Sequence, residues 1–211
     1  MKHLITFVST LLVCTLIAGP AQQMLIAVIG ANGGGVSFTD DFNRANESPI
    51  AGNWETNIGS FNGASLISNR IIGTGGNWLA RVATSAATFP ADQSASTVLL
   101  AGNEGFVGAV VRIQSDGSCY AASYLGGGSA RIYKFVGTSA TTPFSDYTAT
   151  FSSGDVLKIS ATGSGSVTLT LYQNGSSLGT RTDSSSPYNS GQPGIWGGDS
   201  ISTDDFVGIG L

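Results

Sequence analysis

The chain is short of nearly everything that hydrolytic and metal chemistry draws on. Of its 211 residues one is histidine, His3, two are cysteine, Cys14 and Cys119, and only 10% are charged. The opening removes most of that small stock. Met1-Lys2-His3 leads into an apolar run over residues 4–19 that stops at Pro20, the order of a secretory signal peptide. The run is shorter than the about 20 residues that a spanning helix needs. A second apolar patch at 24–31 blurs its end, so cleavage is expected after Ala21 or after Ala31, and in any case before Ser37. Residues 1–31 are therefore read as signal peptide and flexible leader, residues 36–211 as one domain, and the product as secreted, with no membrane contact after cleavage.

The mature chain then has no histidine, which excludes a Ser-His-Asp triad and any histidine-based zinc site. Its single cysteine, Cys119, rules out an intrachain disulfide and lies in an apolar segment that suits a buried thiol. The fold must hold by packing alone. Without Lys2, eight Lys and Arg stand against thirteen Asp and Glu, a net charge of −5 with no basic cluster. Nucleic acid, whose binding depends on neutralising phosphates, is thereby excluded as a partner. Leu, Lys and Glu, the residues long helices favour, are scarce, while Gly, Ser and Thr abound.

What is present is a succession of short strand-like segments separated by Gly, Ser, Asn and Asp. They fall at 36–42, 66–72, 78–83, 94–100, 106–113, 119–125, 130–136, 147–151, 156–161, 167–173, 177–182 and 204–211. About a dozen strands without an intervening helical period predict an all-β antiparallel sandwich of the jelly-roll type, in two curved sheets. Register is sharpest at Val167-Thr168-Leu169-Thr170-Leu171, which alternates cleanly and runs into Asn174-Gly175, the dipeptide best suited to a tight hairpin. Ser68-Asn69 is read as a second turn, splitting 66–72 into two short arms.

The central strands carry an unusual second face. Alternation allows Val107, Ala109, Val111 and Ile113, then Cys119, Ala121, Ser123 and Leu125, then Ala130, Ile132, Lys134 and Val136 to point into the core. The opposite phases hold Phe106, Val110 and Arg112, then Tyr120, Ala122 and Tyr124, then Arg131, Tyr133 and Phe135. Aromatic faces stack on the apolar faces of sugar rings, and guanidinium groups donate to hydroxyl or carboxylate oxygens. A ligand-binding face is therefore expected from Arg112, Tyr120, Tyr124, Arg131 and Tyr133, with Trp78 at its margin. Two arginines in an acidic chain predict a preference for uronate-rich or sulfated glycans. The alternative is that the tyrosines and Trp78 are core and the face is inverted, as a one-residue bulge would make it.

Several motifs, taken in order, resemble one family. Phe38-Thr39-Asp40-Asp41-Phe42-Asn43-Arg44-Ala45-Asn46 with Asn53-Trp54, then Asp92-Gln93, Gly108-Ala109-Val110-Val111-Arg112, Gly154-Asp155-Val156-Leu157-Lys158-Ile159, Asn174-Gly175, Pro193-Gly194-Ile195 and Asp204-Asp205-Phe206 are similar to bacterial and phage domains of the concanavalin A-like lectin/glucanase superfamily, laminin-G-like jelly rolls among them. The resemblance covers the whole mature chain and implies glycan ligands. Its glucanases carry Glu-x-Asp-x-x-Glu on one strand, the paired carboxylates of a retaining mechanism. Here the only glutamates are Glu47, Glu55 and Glu104, none in that spacing. No catalytic residue is assigned. Lyase-like members use a tyrosine with a His or Asn partner, and their distinctive motifs are absent. The resemblance also implies a structural Ca²⁺ near the chain ends, where the acidic doublets Asp40-Asp41 and Asp204-Asp205 offer hard oxygen ligands, Asp41 and Asp205 foremost. The expected function is a secreted, lectin-like carbohydrate-binding module recognising a polysaccharide. The alternatives are a divergent glycoside hydrolase or polysaccharide lyase, and a virion or cell-surface structural or adhesion module.

Overall fold

The computed structural model describes residues 35–100, 106–199 and 201–211. The signal segment, most of the glycine-rich leader and Glu104 lie outside them. Among the described residues there are sixteen strands and no helix. Numbered in chain order, one sheet contains β1 (Ser37–Asp40), β3 (Ala64–Leu66), β4 (Ile71–Gly73), β6 (Gln93–Leu99), β12 (Val156–Thr162), β13 (Val167–Gln173), β14 (Ser176–Asp183) and β16 (Ser202–Gly210). The other contains β2 (Trp54–Thr56), β5 (Trp78–Val82), β7 (Val107–Ile113), β8 (Cys119–Gly126), β9 (Ser129–Val136), β10 (Ser139–Thr141), β11 (Tyr147–Thr148) and β15 (Gln192–Gly197). The first runs β14-β13-β12-β6-β16-β4-β3 with β1 also beside β16; the second runs β10-β9-β8-β7-β15-β5-β2 with β11 also beside β9. Each eight-stranded sheet is antiparallel, and the two pack face to face as the expected sandwich.

Both turns expected from the sequence form. Asn174 and Gly175 take φ of 49° and 81° between β13 and β14. Ser68 and Asn69 take 53° and 62°, and Ile67 and Arg70 exchange backbone hydrogen bonds of 3.0 and 3.2 Å across them. Positive φ at both central positions matches the right-handed strand twist.

Four strands, β2, β3, β10 and β15, escape the alternation test. The first three have three residues each, too short for a period. The last, Gln-Pro-Gly-Ile-Trp-Gly, has the composition of a turn. Its proline sits at a register shift between Gln192 and Gly194, where a ladder tolerates a missing N–H. Gly194 is required because a Cβ there would lie 2.1 Å from the Ala80 carbonyl oxygen.

The motif at 38–54 proves to be a corner brace. The buried Asp40 carboxylate accepts from the Trp54 indole N–H at 2.6 Å, from Arg44 at 2.7 Å and from the Phe42 amide at 2.9 Å. Phe38, Phe42, Trp54 and Phe206 cluster above it.

The core between the sheets corrects the face assignment for β8. Tyr120, Ala122 and Tyr124 point inward with Ala130, Ile132, Val107, Ala109 and Val111, while Cys119 and Ala121 join a second cluster on the outer side of the second sheet. Alternation says which residues share a face; neighbour volumes decide which face goes in. On the outer side each small β8 residue lies opposite a large β9 residue: Cys119 opposite Phe135, Ala121 opposite Tyr133, Ser123 opposite Arg131. The β9 phase is as expected, with Tyr133 and Phe135 outward.

Candidate functional site

The outer face of the second sheet is built from five strands, Leu79 coming from β5. Tyr133 and Phe135 come from β9, Cys119 and Ala121 from β8, Val110 and Ile113 from β7, Trp196 from β15. Gly108 lies opposite Trp196, so β7 puts no side chain beside the indole. The rings touch in sequence: Phe135 and Trp196 centroids are 5.2 Å apart, Tyr133 and Trp196 5.7 Å, Phe106 and Trp196 6.2 Å with perpendicular planes. Such offset and edge-to-face pairs are favourable beyond the area they bury.

Part of this face is closed. The loop at 57–62 lays Ile58 and Phe61 over it, with Phe61 5.4 Å from Phe135. Gly59 and Gly117 permit that docking: a Cβ on Gly59 would fall 2.0 Å from the Asp116 carbonyl oxygen, and one on Gly117 2.9 Å from the Phe61 ring. The other part is open. Phe106, at the head of β7, is 51% exposed, whereas Tyr133 and Trp196 beneath it are 6% and 2% exposed. The indole N–H of Trp196 is buried and has no acceptor among the described residues.

Arg131 borders the open part. It donates to Asp146 through Nε at 2.5 Å and through Nη2 at 2.7 Å, a bidentate pair. Its guanidinium carbon lies 5.6 Å from the Tyr133 ring centroid. The hydrogen bonds to Asp146 raise Arg131 above its ordinary range, and those from Arg131 hold Asp146 below the usual carboxylate value. The result is an aromatic surface with a fixed donor and a fixed acceptor at its edge and almost no net charge.

Of the six residues expected on a binding face, Arg131 and Tyr133 are on it, and the other four are corrected. Tyr120 is fully buried between the sheets, where its hydroxyl donates to Asp183 at 2.6 Å and accepts from the Tyr188 amide at 3.0 Å. Burial first, and then the Asp183 carboxylate, push its phenol well above the ordinary value. Tyr124 faces the same core and packs on Phe151 at 5.2 Å. Trp78 is a core tryptophan whose indole donates to the Gly198 carbonyl at 2.8 Å. Gly73 and Gly197 flank it so closely that a Cβ would fall 1.8 and 2.6 Å from its ring. Arg112 is fully buried because a bulge displaces it: the β7–β15 register shifts between Gln192 and Gly194, and Arg112 takes φ of 56°. Ile113 joins the outer cluster instead. The guanidinium donates to the carbonyls of Ala91, Tyr188 and Gly163 at 2.8, 2.7 and 2.8 Å, tying three loops together.

Phe106, Phe61 and Trp196 are the members of the face that periodicity missed. Trp196 lay in a segment that reads as a turn, and Phe61 belongs to a loop. Phe106 stood in the expected outer phase but without a partner to mark it.

The first and last described strands meet. β1 pairs with β16, with Asp40 opposite Phe206. Asp40 is absorbed by the corner brace, and Asp41 and Asp205 are exposed. Partial burial, and then the charges of Asp204 and Asp41, raise Asp205. The carboxylates repel one another there, a field that a divalent cation would relieve. No group of three His, Cys, Asp or Glu side chains placed to hold a metal occurs among the described residues.

No family model matches the chain. No curated protein matches it either. Solved structures do. The carbohydrate-binding module CBM66 of Bacillus subtilis superposes with a TM-score of 0.52 at 16% identity, over 72% of this chain and 91% of that one. A β-glucanase of Bacillus licheniformis gives 0.53 at 14% identity, over 85% and 99%. The carbohydrate recognition domain of Emp47p gives 0.50 at 12% identity, over 86% and 100%. The fold is the concanavalin A-like jelly roll. Carbohydrate-binding modules and glucanases share this fold, and identities this low carry the architecture alone.

Proposed function

We propose that this domain is an exported, lectin-like module that binds a polysaccharide on the outer face of its second sheet, without a catalytic centre of its own. The observation that carries the reading is the half-exposed ring of Phe106, seated on Tyr133 and Trp196 beside the Arg131–Asp146 pair. An isolated exposed phenylalanine needs no explanation; one that caps an aromatic cluster next to a bidentate polar pair has the composition of a small-ligand site. A sugar ring stacks on Phe106, and its hydroxyls reach the Arg131 N–H groups and the Asp146 oxygens.

The preferred glycan differs from the sequence expectation. Arg112 is spent on loop carbonyls and Arg131 is neutralised by Asp146. A neutral polysaccharide therefore fits better than a uronate-rich or sulfated one. A general acid has to hold its proton near neutral pH, and Asp146, held ionised by Arg131, is unsuited to that role.

A glycan array with the protein lacking residues 1–34, followed by calorimetry on the best ligand, tests the reading. Phe106→Ala is the cleanest variant, because its ring is half outside the fold. Affinity falls by up to about tenfold, the loss of a stacking contact of about 0.5–1.5 kcal/mol, with little change in melting temperature. Unchanged affinity in Phe106→Ala and Arg131→Ala would place the ligand elsewhere.

A further inference from the structure

A concavity lies at the two ends of the 57–62 loop, whose Ile58 and Phe61 side chains cover part of the aromatic face. It has a volume of about 290 Å³ and is lined by Ser48, Pro49, Asn57, Asn62, Gly63, Ala64, Ser65 and Thr74. We infer that it is a separate binding site for a single neutral sugar ring, held by the Asn57 and Asn62 carboxamides over a floor of Ala64 and Ser65.

Size comes first. Ligand pockets start near about 300 Å³, so this one admits one ring and not an oligosaccharide. Chemistry narrows the class. None of the lining side chains is ionisable; they present hydroxyls, two carboxamides and the apolar ring of Pro49. A charged ligand would find no counter-charge. A carboxamide places a donor and an acceptor side by side, which is the pattern that adjacent hydroxyls of a sugar match.

The polar groups are held in place and retain free capacity. Asn62 is fixed by its backbone, which accepts from Leu79 at 3.3 Å, donates to Asn77 at 3.0 Å and bridges Trp78. Its Nδ2 makes a 3.4 Å bond to the Asn77 carbonyl, and its Oδ1 accepts from no described residue. Asn57 sits at φ of 57°, a conformation asparagine tolerates. Its amide makes one long bond, 3.5 Å to Thr56 Oγ1, and its Oδ1 is likewise open. Ser65 donates to Ser48 at 2.9 Å, which leaves the Ser48 hydroxyl proton available.

Glycine keeps the space between them clear. A Cβ on Gly63 would lie 3.1 Å from Asn57 Oδ1, and one on Gly76 2.8 Å from Asn62 Nδ2. Either addition would press on a carboxamide.

The test is a titration of the protein lacking residues 1–34, followed by amide resonances, with D-glucose, D-galactose, D-mannose and N-acetyl-D-glucosamine as probes and D-glucuronate as the charged control. At least one neutral sugar shifts the amides of residues 57, 62–65 and 74 with millimolar affinity, and glucuronate binds more weakly. Asn57→Gly, which keeps the positive φ accessible, and Asn62→Ala each weaken binding about tenfold, the effect of one or two lost hydrogen bonds. Gly63→Ala weakens it too, and Phe106→Ala leaves it unchanged. Three results would overturn the inference: no probe shifting these amides at tens of millimolar, shifts that persist undiminished in both asparagine variants, or glucuronate binding as tightly as the neutral sugars. Because Phe106→Ala affects only the aromatic face, failure of that site and failure of this one read out separately.

Discussion

Tyr120 and Tyr133 stand on neighbouring strands and on opposite faces of one sheet, each beside a base and an acid. On the inner face the set is Tyr120, Lys134 and Asp183; on the outer face it is Tyr133, Arg131 and Asp146. Lys134 and Asp183 are 2.7 Å apart with side chains 11% and 6% exposed, while those of Arg131 and Asp146 are 28% and 37% exposed. The inner set is fully engaged: Lys134 also donates to the carbonyls of Ser185 and Ser186 at 2.6 and 3.1 Å, and so pins the loop that leads to β15. The outer set is less enclosed: besides Arg131, Asp146 accepts only a long 3.4 Å bond from the Ser129 hydroxyl, and both side chains of the pair reach solvent. The same chemical groups build a fastener where water is excluded and a recognition edge where it is not.

The comparison breaks most visibly at Lys134. Lys134→Met leaves the Asp183 carboxylate buried and unpaired, and should destabilise the domain by about 3–5 kcal/mol in denaturant unfolding. Arg131→Met on the outer face should cost under about 1 kcal/mol. Similar losses at both positions would erase the distinction between the faces.

Tyr120→Phe comes next. It removes the hydroxyl that bridges Asp183 and the Tyr188 amide, and should cost about 1.5–3 kcal/mol, the range for a hydrogen bond to a charged group. Tyr133→Phe should leave stability nearly unchanged.

Acid titration sharpens the same contrast. Burial alone would raise Asp183, but hydrogen bonds from Lys134 and Tyr120 outweigh it and hold the carboxyl below its reference value of 3.8. A carboxylate whose folded value is depressed stabilises the native state fully above its unfolded value, and that contribution is lost as pH falls through the folded value. Wild-type melting temperature should therefore drop steeply below about pH 4, the unfolded carboxylate range, and the drop should be shallower in Asp183→Asn. Asp146→Asn should flatten it far less, since its pair is exposed.

The smallest effect is expected where β1 meets β16. Asp205 has its folded value raised, so its charge costs stability above that value, and the cost disappears as pH falls below the unfolded value. Without calcium, Asp205→Asn should stabilise at neutral pH by a few tenths of a kcal/mol, roughly, because an exposed carboxylate is well screened. We propose that calcium reverses this order by binding Asp41 and Asp205. The wild type should then gain melting temperature with added calcium and Asp205→Asn should not. Identical curves in chelator and in calcium would remove the ion from the account.

How far the sequence reached can be followed strand by strand. At β13–β14 it sufficed, because strict alternation and Asn174-Gly175 are local and require no knowledge of neighbours. At β9 it also sufficed: Arg131, Tyr133 and Phe135 formed one phase and lie on one face. At β8 it did not, since both phases are apolar enough for a core. At β15 it failed, because proline and two glycines read as a turn until the Ala80 carbonyl is known to press on Gly194 and the Trp78 ring on Gly197.

The sequence by itself determined the all-β architecture, the two tight hairpins, the absence of histidine chemistry in residues 35–211 and the grouping of residues into alternating phases. These follow from bond geometry and composition, which act over a few residues. Only the tertiary structure decided which phase of β8 faces the core, that one bulge at Arg112 withdraws a guanidinium from the expected face, and that Phe106, Tyr133 and Trp196, from three separate segments of the chain, share one surface. Such outcomes turn on how neighbouring volumes interlock across a sheet, and alternation within a single strand is blind to its neighbours.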